Sequence, residues 1–522
     1  MTLPESVWHV SREYAGMAEA GGVKDVVRGL ADALVRSGVH TTVVLPLYGF
    51  LRRHGDLGRP VASFTASLPD QDRGNQLFEE RVQVFQSEAQ GVRLLLVETP
   101  RYSALRDVYT YTAQDEAENR WRRKSTGHWD SHQLNLLLQL AALETAARIA
   151  QAPVLFHCHD GHTAFLPALM RESPAYTERF ASSAAVVTIH NAGKGYHQEV
   201  WSLEFAALLT GLQRSVLHKG LLGGAIDPLL LAGSYSLLCT VSEQYARELL
   251  AEKDDEVSGG LGKACRERGI PLSGITNGIS PASWDPRFPE DSGLPFRFDP
   301  SGGDLEGKRQ CRRKLEASLG LPAGPGGERP PLYAFVGRLT EQKGVDILFK
   351  SLQEMLSAEE NPLFVVLGSG EKQREDMFSW LAAQASPRGR LCFIPRYDPQ
   401  LAKLIYAASD FFLIPSEYEP CGLTDFISQI LGSIPIVHRV GGLVKVRDGE
   451  TGFSYDEQSP AAFSAVLRKT ARLFASDPSM LEGIRRRAFS EIFSRHTWDR
   501  VLEDGYLPLY RKAVEGTWQT RK

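Results

Sequence analysis

Apolar positions along this chain follow two periods, and the switching between them is the first structural signal. "SVWHVSREY" and "HTTVVLPLYG" are nearly continuous apolar runs of strand length. Between them, "GVKDVVRGLADALVRSG" spaces its apolar residues three and four apart and closes on Gly38, which predicts a helix. "HQLNLLLQLAALETAARIA" reads as a strong amphipathic helix. "VLFHCHDG" and "AAVVTIHN" then return to strand, each ending in polar residues. Buried strands separated by helices predict a parallel sheet with right-handed crossovers.

The alternation stops at "PASWDPRFPEDSGLPFRFDPSGGD", and a second Pro- and Gly-rich stretch follows in "LPAGPGGERPP". These place a domain linker near 284–300 and a loop near 321–330. The pattern then restarts. "LYAFVGRL", "LFVVLGSG", "LCFIPRY", "DFFLIPS" and "PIVHRVGG" read as strands, with helices such as "VDILFKSLQEML" and "PQLAKLIYAAS" between them. The tail "TWDRVLEDGYLPLYRKAVEG" reads as a terminal helix interrupted near Pro508. The pattern therefore predicts α/β class and two doubly wound, Rossmann-like halves. A ligand is expected in the cleft between them, at the carboxyl ends of the strands.

Composition narrows the function classes. The 522 residues exceed one ordinary core, and 43% hydrophobic with 23% charged residues is usual for a globular protein. Lys and Arg number 59 against 63 Asp and Glu, a net charge of -4 that argues against bulk nucleic-acid binding. Six dispersed cysteines without a C-x-x-C pair point to reduced thiols and a cytoplasmic setting, not a disulfide framework or a zinc site. The N-terminal stretch carries no visible signal peptide. "LLGGAIDPLLLAGSYSLLCTV" is broken by Asp227 and Pro228, so no membrane span is expected.

Four stretches carry candidate chemistry. In "EAGGVKDVV", Gly21 and Gly22 open a helix where backbone N–H groups can meet an anion; a tight turn without a ligand fits equally well. In "GRLTEQKG", Arg338 and Lys343 follow a strand, suited to phosphate oxygens or, alternatively, to a solvated loop. In "TIHNAGKGYHQ", His190 ends an apolar strand, placed for a substrate hydrogen bond or for a structural one. In "IPSEYEPCGLTDF", Glu419 precedes Gly422 and a helix starting at about Leu423. A carboxylate for sugar hydroxyls beside amides for phosphate matches a nucleotide sugar; a helix cap with a buried acid is the alternative. His157 and His159 in "HCHDGH" fall on one strand face and Asp160 on the other, and no further ligand set has convincing spacing for zinc. The "DQD" element at 70–72 reads as surface loop rather than a metal–diphosphate site.

The ordered series resembles the bacterial glycogen synthases and plant starch synthases, retaining glucosyltransferases of glycosyltransferase family 5 and the two-domain GT-B type. It runs through "SREYAGMAEAGGVKDVV", "HCHDGHTAFLPALM", "VVTIHN", "CTVSEQYARELL", "GITNGISPASWDP", "GRLTEQKGVDIL", "LIYAASDFFLIPSEYEPCGL" and "PIVHRVGGL". The resemblance implies a first domain over 1–290 on the acceptor side, a donor domain over 291–492, and a helix over 493–522 returning to the first. It implies that Arg338 and Lys343 hold the donor diphosphate, that Glu419 contacts the glucosyl unit, and that His190 stands beside the sugar. Gly21, Gly22 and Asp25 match the N-terminal donor loop. Cys421, Gly422, Leu423 and Thr424 match the turn over sugar and phosphates, and Tyr397 matches the aromatic near the nucleobase. Asp160, in the His-Asp-Trp-like block, joins the donor-binding set. The activity implied is glucosyl transfer from ADP-glucose to an α-1,4-glucan such as glycogen, with retention and with no cofactor or metal.

Four departures bear on that expectation. Glu19 stands where the family has lysine, and Glu417 stands where it has arginine. Lys24 replaces a usually small residue and Lys445 a usual aspartate, so a charge swap is one expectation and an altered donor or weakened activity another. UDP-glucose or another acceptor, and a catalytically weak glucan-binding protein, are the competing functions. A phosphorylase shares the plan but lacks a convincing pyridoxal-phosphate lysine context.

Overall fold

The computed structural model describes residues 4–54, 58–70, 74–149, 152–251, 255–322, 329–357, 362–385 and 389–516. It divides into two compact units, Met1–Gly278 with Trp498–Lys522, and Ile279–Thr497. Both are built on sheets, and each sheet positions one group of candidate residues.

In unit 1 the strands are β1 (Ser6–Val10), β2 (His40–Pro46), β3 (Ala62–Asp70), β4 (Gln76–Ala89), β5 (Val92–Glu98), β6 (Leu155–His159) and β7 (Ala184–Ile189). A small hairpin, β8 (Leu221–Leu222) and β9 (Ala225–Ile226), precedes β10 (Leu237–Thr240) and β11 (Leu272–Gly274). Among the described residues the main sheet has nine strands in the order β11-β10-β7-β6-β1-β2-β5-β4-β3. The strands from β11 to β5 run parallel, and every residue of β6 and β7 is buried, which explains their unbroken apolar runs.

Two features of unit 1 differ from the sequence expectation, and the break in the tail helix agrees with it. The edge strands β3 and β4 are antiparallel. β4 and β5 are joined at Gln90 and Gly91, both at positive φ, a tight hairpin that leaves no room for a crossover. The helix Ser131–Arg148 is buried on nearly every face, not amphipathic. Its two inward glutamines place their amide N–H groups on carbonyls: Gln133 donates to Pro69, and Gln139 to Asn135 and His162. The tail has a π-helical turn over Leu502–Tyr506 between helices Trp498–Val501 and Leu507–Val514. Pro508 has no N–H for the preceding turn, and the wider coil accommodates its ring.

The tail is core, not appendage. Trp498, Val501, Leu502, Tyr506 and Tyr510 pack with Val7, Leu34, Leu155 and Val186. A Cβ on Gly29 would stand 2.0 Å from the Trp498 indole, so only glycine admits that ring. Burying side chains of this size stabilises by about 1.5–3 kcal/mol each.

Unit 2 contains β12 (Leu332–Val336), β13 (Leu363–Leu367), β14 (Leu391–Ile394), β15 (Phe411–Ile414), β16 (Ile434–His438) and β17 (Phe453–Tyr455). They pair in the order β14-β13-β12-β15-β16-β17, all parallel. This is the doubly wound order, and its reversal lies between β12 and β15. Loops leaving the carboxyl ends of those two strands meet at the switch point, where ligands of such sheets bind.

The units divide at Gly278/Ile279 and Thr497/Trp498, not at 290 and 492. The Pro-rich stretch is packed structure of unit 2: Leu294 and Phe298 lie in its core with Cys311 and Leu332. Ile279 bridges to Thr497, and its N–H donates to the His496 carbonyl at 2.8 Å, so the chain enters and leaves unit 2 side by side.

Candidate active site

Unit 2 brings Lys343 and Glu419 together across 76 residues of sequence. Lys343 lies in the loop after β12 and Glu419 in the loop after β15. The Lys343 ammonium donates to Glu419 Oε2 at 2.6 Å, with the side chains 23% and 11% exposed. Ser416 Oγ donates to the same oxygen at 3.0 Å. The loops are joined by the backbone as well, since the Glu417 N–H donates to the Gln342 carbonyl at 2.9 Å. Gly344 has φ +64, and a Cβ there would stand 1.8 Å from the Pro415 carbonyl oxygen. Close approach of the two loops therefore requires glycine.

Arg338 is exposed, and its guanidinium has no partner among the described residues. Tyr397, in the loop after β14, is 85% exposed. Cys421 and Gly422 are buried, while Leu423 and Thr424 are half-buried at the start of the helix Thr424–Ile430. Gly422 sits at φ +76, and a Cβ would meet Leu443, Asp425 and Lys445. Its glycine is thus demanded by the turn and by packing beneath it.

Lys445 fastens that turn. Its ammonium donates to the carbonyls of Cys421, Gly422 and Gly442 and lies 3.1 Å from Asp425 Oδ2. Burial pushes the Asp425 carboxyl up to about 6 despite that cation. Three carbonyls and a carboxylate occupy Lys445, which leaves it no donor to replace a lost phosphate-binding cation.

In unit 1 the chain order β6-β1 is also a reversal, and the loops after β1, β6 and β7 carry the remaining candidates. Gly21, Gly22 and Asp25 are exposed. The Gly21 N–H is occupied: it donates to Glu13 Oε2 at 2.6 Å, beside the Ala20 N–H at 3.0 Å. The other Glu13 oxygen accepts from Tyr109 Oη at 2.9 Å. Glu13 thus shapes the glycine loop. The sequence offered no sign of it, since an acid eight residues from a glycine pair is ordinary. Glu19 Oε1 accepts from the Gly16 N–H at 2.7 Å, and Lys24 pairs with Asp25 at 3.1 Å.

Asp160 and His190 form one arrangement. Asp160 Oδ1 accepts from the His190 N–H at 2.6 Å. Asp160 has φ +58 and ψ −180, a region that non-glycine residues occupy only when their surroundings impose it. Burial pushes its carboxyl up to about 7, against the pull of the His190 and Asn191 amides. His190 is 9% exposed, and burial takes its imidazole down to about 3. A third histidine, His9, joins His157 and His159, because β1 pairs with β6 and sets His9 opposite His157. Among the described residues these three are the one group whose ligand-type atoms all lie within 4.8 Å of one another. Both His157 nitrogens are engaged, by Tyr510 Oη at 2.7 Å and Thr188 Oγ1 at 2.6 Å. Of the "DQD" element, Asp70 ends β3 opposite Gln76, and the next two residues lie outside the described ones.

Known proteins share this architecture and much of the sequence. Residues 6–267 match the model of the starch synthase catalytic domain, and residues 324–480 match that of glycosyl transferases group 1. The chain is 32% identical to the glycogen synthase of Streptococcus agalactiae serotype Ia over 516 residues, covering 97% of this chain and 99% of that one. It belongs to the glycogen and starch synthase family. The family's glycogen synthase from Aeromonas hydrophila is 30% identical over 98% of this chain and 99% of its own. The catalytic domain of starch synthase IV from Arabidopsis thaliana, solved bound to ADP and acarbose, superposes with a TM-score of 0.78 at 27% identity, covering 98% of this chain and all of that one. The fold is therefore GT-B, shared more distantly with a sucrose-phosphate synthase from Thermosynechococcus elongatus at TM-score 0.55 and 16% identity.

A Cβ on Gly161 would lie 2.1 Å from the His197 carbonyl oxygen, so the backbone passes too close there for a side chain. Glu417 is exposed. Among the described residues no helix is long and apolar enough to cross a membrane.

Proposed function

We propose that this glycosyltransferase moves glucose from ADP-glucose to the non-reducing end of an α-1,4-glucan with retention, needing no metal. The observation that carries the reading is the Lys343–Glu419 contact at the switch point of unit 2, a cation and a carboxylate held 2.6 Å apart. Supporting it are the full-length match to glycogen synthases and the ADP and acarbose in the starch synthase IV structure. Six free cysteines fit a reducing, cytoplasmic setting.

In this reading Arg338 and Lys343 hold the diphosphate, and Tyr397 packs near the base. The Cys421–Thr424 turn covers sugar and phosphates, with Gly21, Gly22, Asp25 and Asp160 completing the donor site. Breaking the sugar–phosphate bond leaves an oxocarbenium-like glucosyl unit and a diphosphate with growing negative charge. The two cations stabilise that charge, and one such preorganised group is typically worth about 3–4 kcal/mol in the transition state. Glu419 accepts hydrogen bonds from hydroxyls of the glucosyl unit, and His190 stands beside it. The departing phosphate oxygen takes the acceptor proton on the same face, which retains the anomer.

Glu19 and Glu417 favour a second reading, a weakly catalytic glucan binder. Incubation with glycogen and labelled ADP-glucose or UDP-glucose separates the readings. Incorporation of α-linked label from ADP-glucose is expected. Preference for UDP-glucose overturns the donor assignment, a β-linked product the front-face route, and glycogen binding without incorporation the enzyme reading.

A further inference from the structure

Behind His190, unit 1 holds a row of imidazoles. His190 Nε2 lies 3.0 Å from His159 Nδ1, and His159 Nε2 lies 3.1 Å from His9 Nδ1. The row ends inside the sheet, where His9 Nε2 is buried without a hydrogen-bond partner among the described residues. His157 is not part of it, since hydroxyl groups occupy both its nitrogens. Burial lowers His9, His159 and His190 alike, so all three rings are neutral near pH 7.

A neutral imidazole has one N–H and one bare nitrogen. Two consecutive nitrogen–nitrogen hydrogen bonds can both form only when all three rings point the same way. In one arrangement the N–H groups point outward: His9 Nδ1–H donates to His159 Nε2, and His159 Nδ1–H donates to His190 Nε2. His190 then carries its proton on Nδ1, and the orphan at the inner end is a bare nitrogen. In the other, every bond reverses, His190 Nδ1 is bare, and the orphan is a buried N–H. Orphaned buried N–H groups are the rarer case in proteins, since an under-satisfied acceptor is better tolerated. The outward arrangement wins.

We propose that His159 and His9 fix the tautomer of His190, so that Nδ1–H is presented as a donor to a sugar oxygen. This rests on the reading of His190 as the residue beside the glucosyl unit. His9 touches no substrate in this scheme and is a positioning residue. A consequence is that Nδ1 of His190 cannot take the acceptor hydroxyl's proton, which agrees with the departing phosphate doing so.

The test is nitrogen NMR on ¹⁵N-histidine-labelled full-length protein without substrate, with His190 assigned by the signals lost in His190→Gln. The wild type is expected to show a protonated Nδ1 and a bare Nε2 at His190. His159→Phe removes the donor to His190 Nε2 and shifts the tautomer ratio about tenfold toward Nε2–H, the factor one ordinary hydrogen bond carries. kcat for glucosyl transfer falls with it. His159→Asn, whose amide can donate from near the place of Nδ1, restores both. A bare Nδ1 in the wild type overturns the proposal even if no variant folds. An unchanged ratio in His159→Phe overturns it too, as does stoichiometric zinc in the purified protein, because a ligated nitrogen carries no proton. The spectra need no donor, so they stand or fall apart from the ADP-glucose assignment.

Discussion

Replacing Glu419 by glutamine should make the enzyme bind its nucleoside diphosphate product more tightly while it works more slowly. Without substrate, Lys343 is held by a charge-assisted hydrogen bond at 2.6 Å, with Glu419 11% exposed. Such a bond contributes about 1.5–3 kcal/mol, and its neutral replacement about 0.5–1.5 kcal/mol. The diphosphate must compete with Glu419 for the ammonium, so Glu419→Gln releases about 1–1.5 kcal/mol to binding. That corresponds to about a fivefold to tenfold lower Kd for ADP. The same change removes the carboxylate proposed to hold the glucosyl unit, and kcat should fall by about 10²-fold or more. Titration calorimetry with ADP reads the first effect, and label incorporation into glycogen reads the second. Weaker ADP binding by Glu419→Gln would refute the reasoning, because it would mean that the carboxylate assists Lys343 in holding phosphate instead of competing for it.

Four further outcomes are expected. Gly344→Ala sets a Cβ against the Pro415 carbonyl at positive φ and should cost about 2 kcal/mol or more in a urea melt, with loss of transfer activity. Asp160 has its folded-state carboxyl raised from 3.8 to about 7, so the native state binds the extra proton and unfolding free energy falls as pH rises from about 4 to 7, by at most about 4 kcal/mol; urea midpoints of Asp160→Asn across that range should lack this slope. Lys445→Met strands three carbonyls and the buried Asp425 and should destabilise by about 3–5 kcal/mol, with Asp425→Asn recovering part of the loss in a double-mutant cycle. Glu19→Lys should lower the donor KM about fivefold in steady-state kinetics, worth about 1 kcal/mol at an exposed site, since Lys24 is committed to Asp25 and supplies no substitute.

The parts of the fold that one period of apolar residues can encode were legible. β12 to β15 and the helix Val23–Arg36 fall within the quoted runs, β16 begins one residue ahead of its run, and β17 at Phe453–Tyr455 lies in none of them. The edge hairpin of unit 1 was missed because β4 alternates exposed and buried residues only in its second half. The helix Ser131–Arg148 reads as amphipathic because its polar residues suggest a wet face, although Gln133, Asn135 and Gln139 are buried and bond to groups inside the protein. The Pro-rich run misplaced the linker, since proline and glycine mark irregular backbone whether or not it is packed. In the site, chain order and the glycine turns pointed to Lys343 and Glu419, and parallel pairing of β12 with β15 accounts for their meeting. What no local pattern announces is a partner far away in sequence. His9 behind His159 depends on β1 pairing with β6, and Lys445 beneath Gly422 on β15 pairing with β16.

The adjacent passage of the chain at Ile279 and Thr497 has a practical consequence. A module whose two ends are already hydrogen-bonded to each other imposes almost no spacing requirement on whatever hosts it. Ile279–Thr497 can therefore be exchanged as a cassette for the corresponding stretch of a relative with another nucleotide preference, or closed on itself with a short linker. Such chimeras report how much of the nucleotide preference travels with Ile279–Thr497, and the joint to watch is the Ile279–Thr497 pair itself.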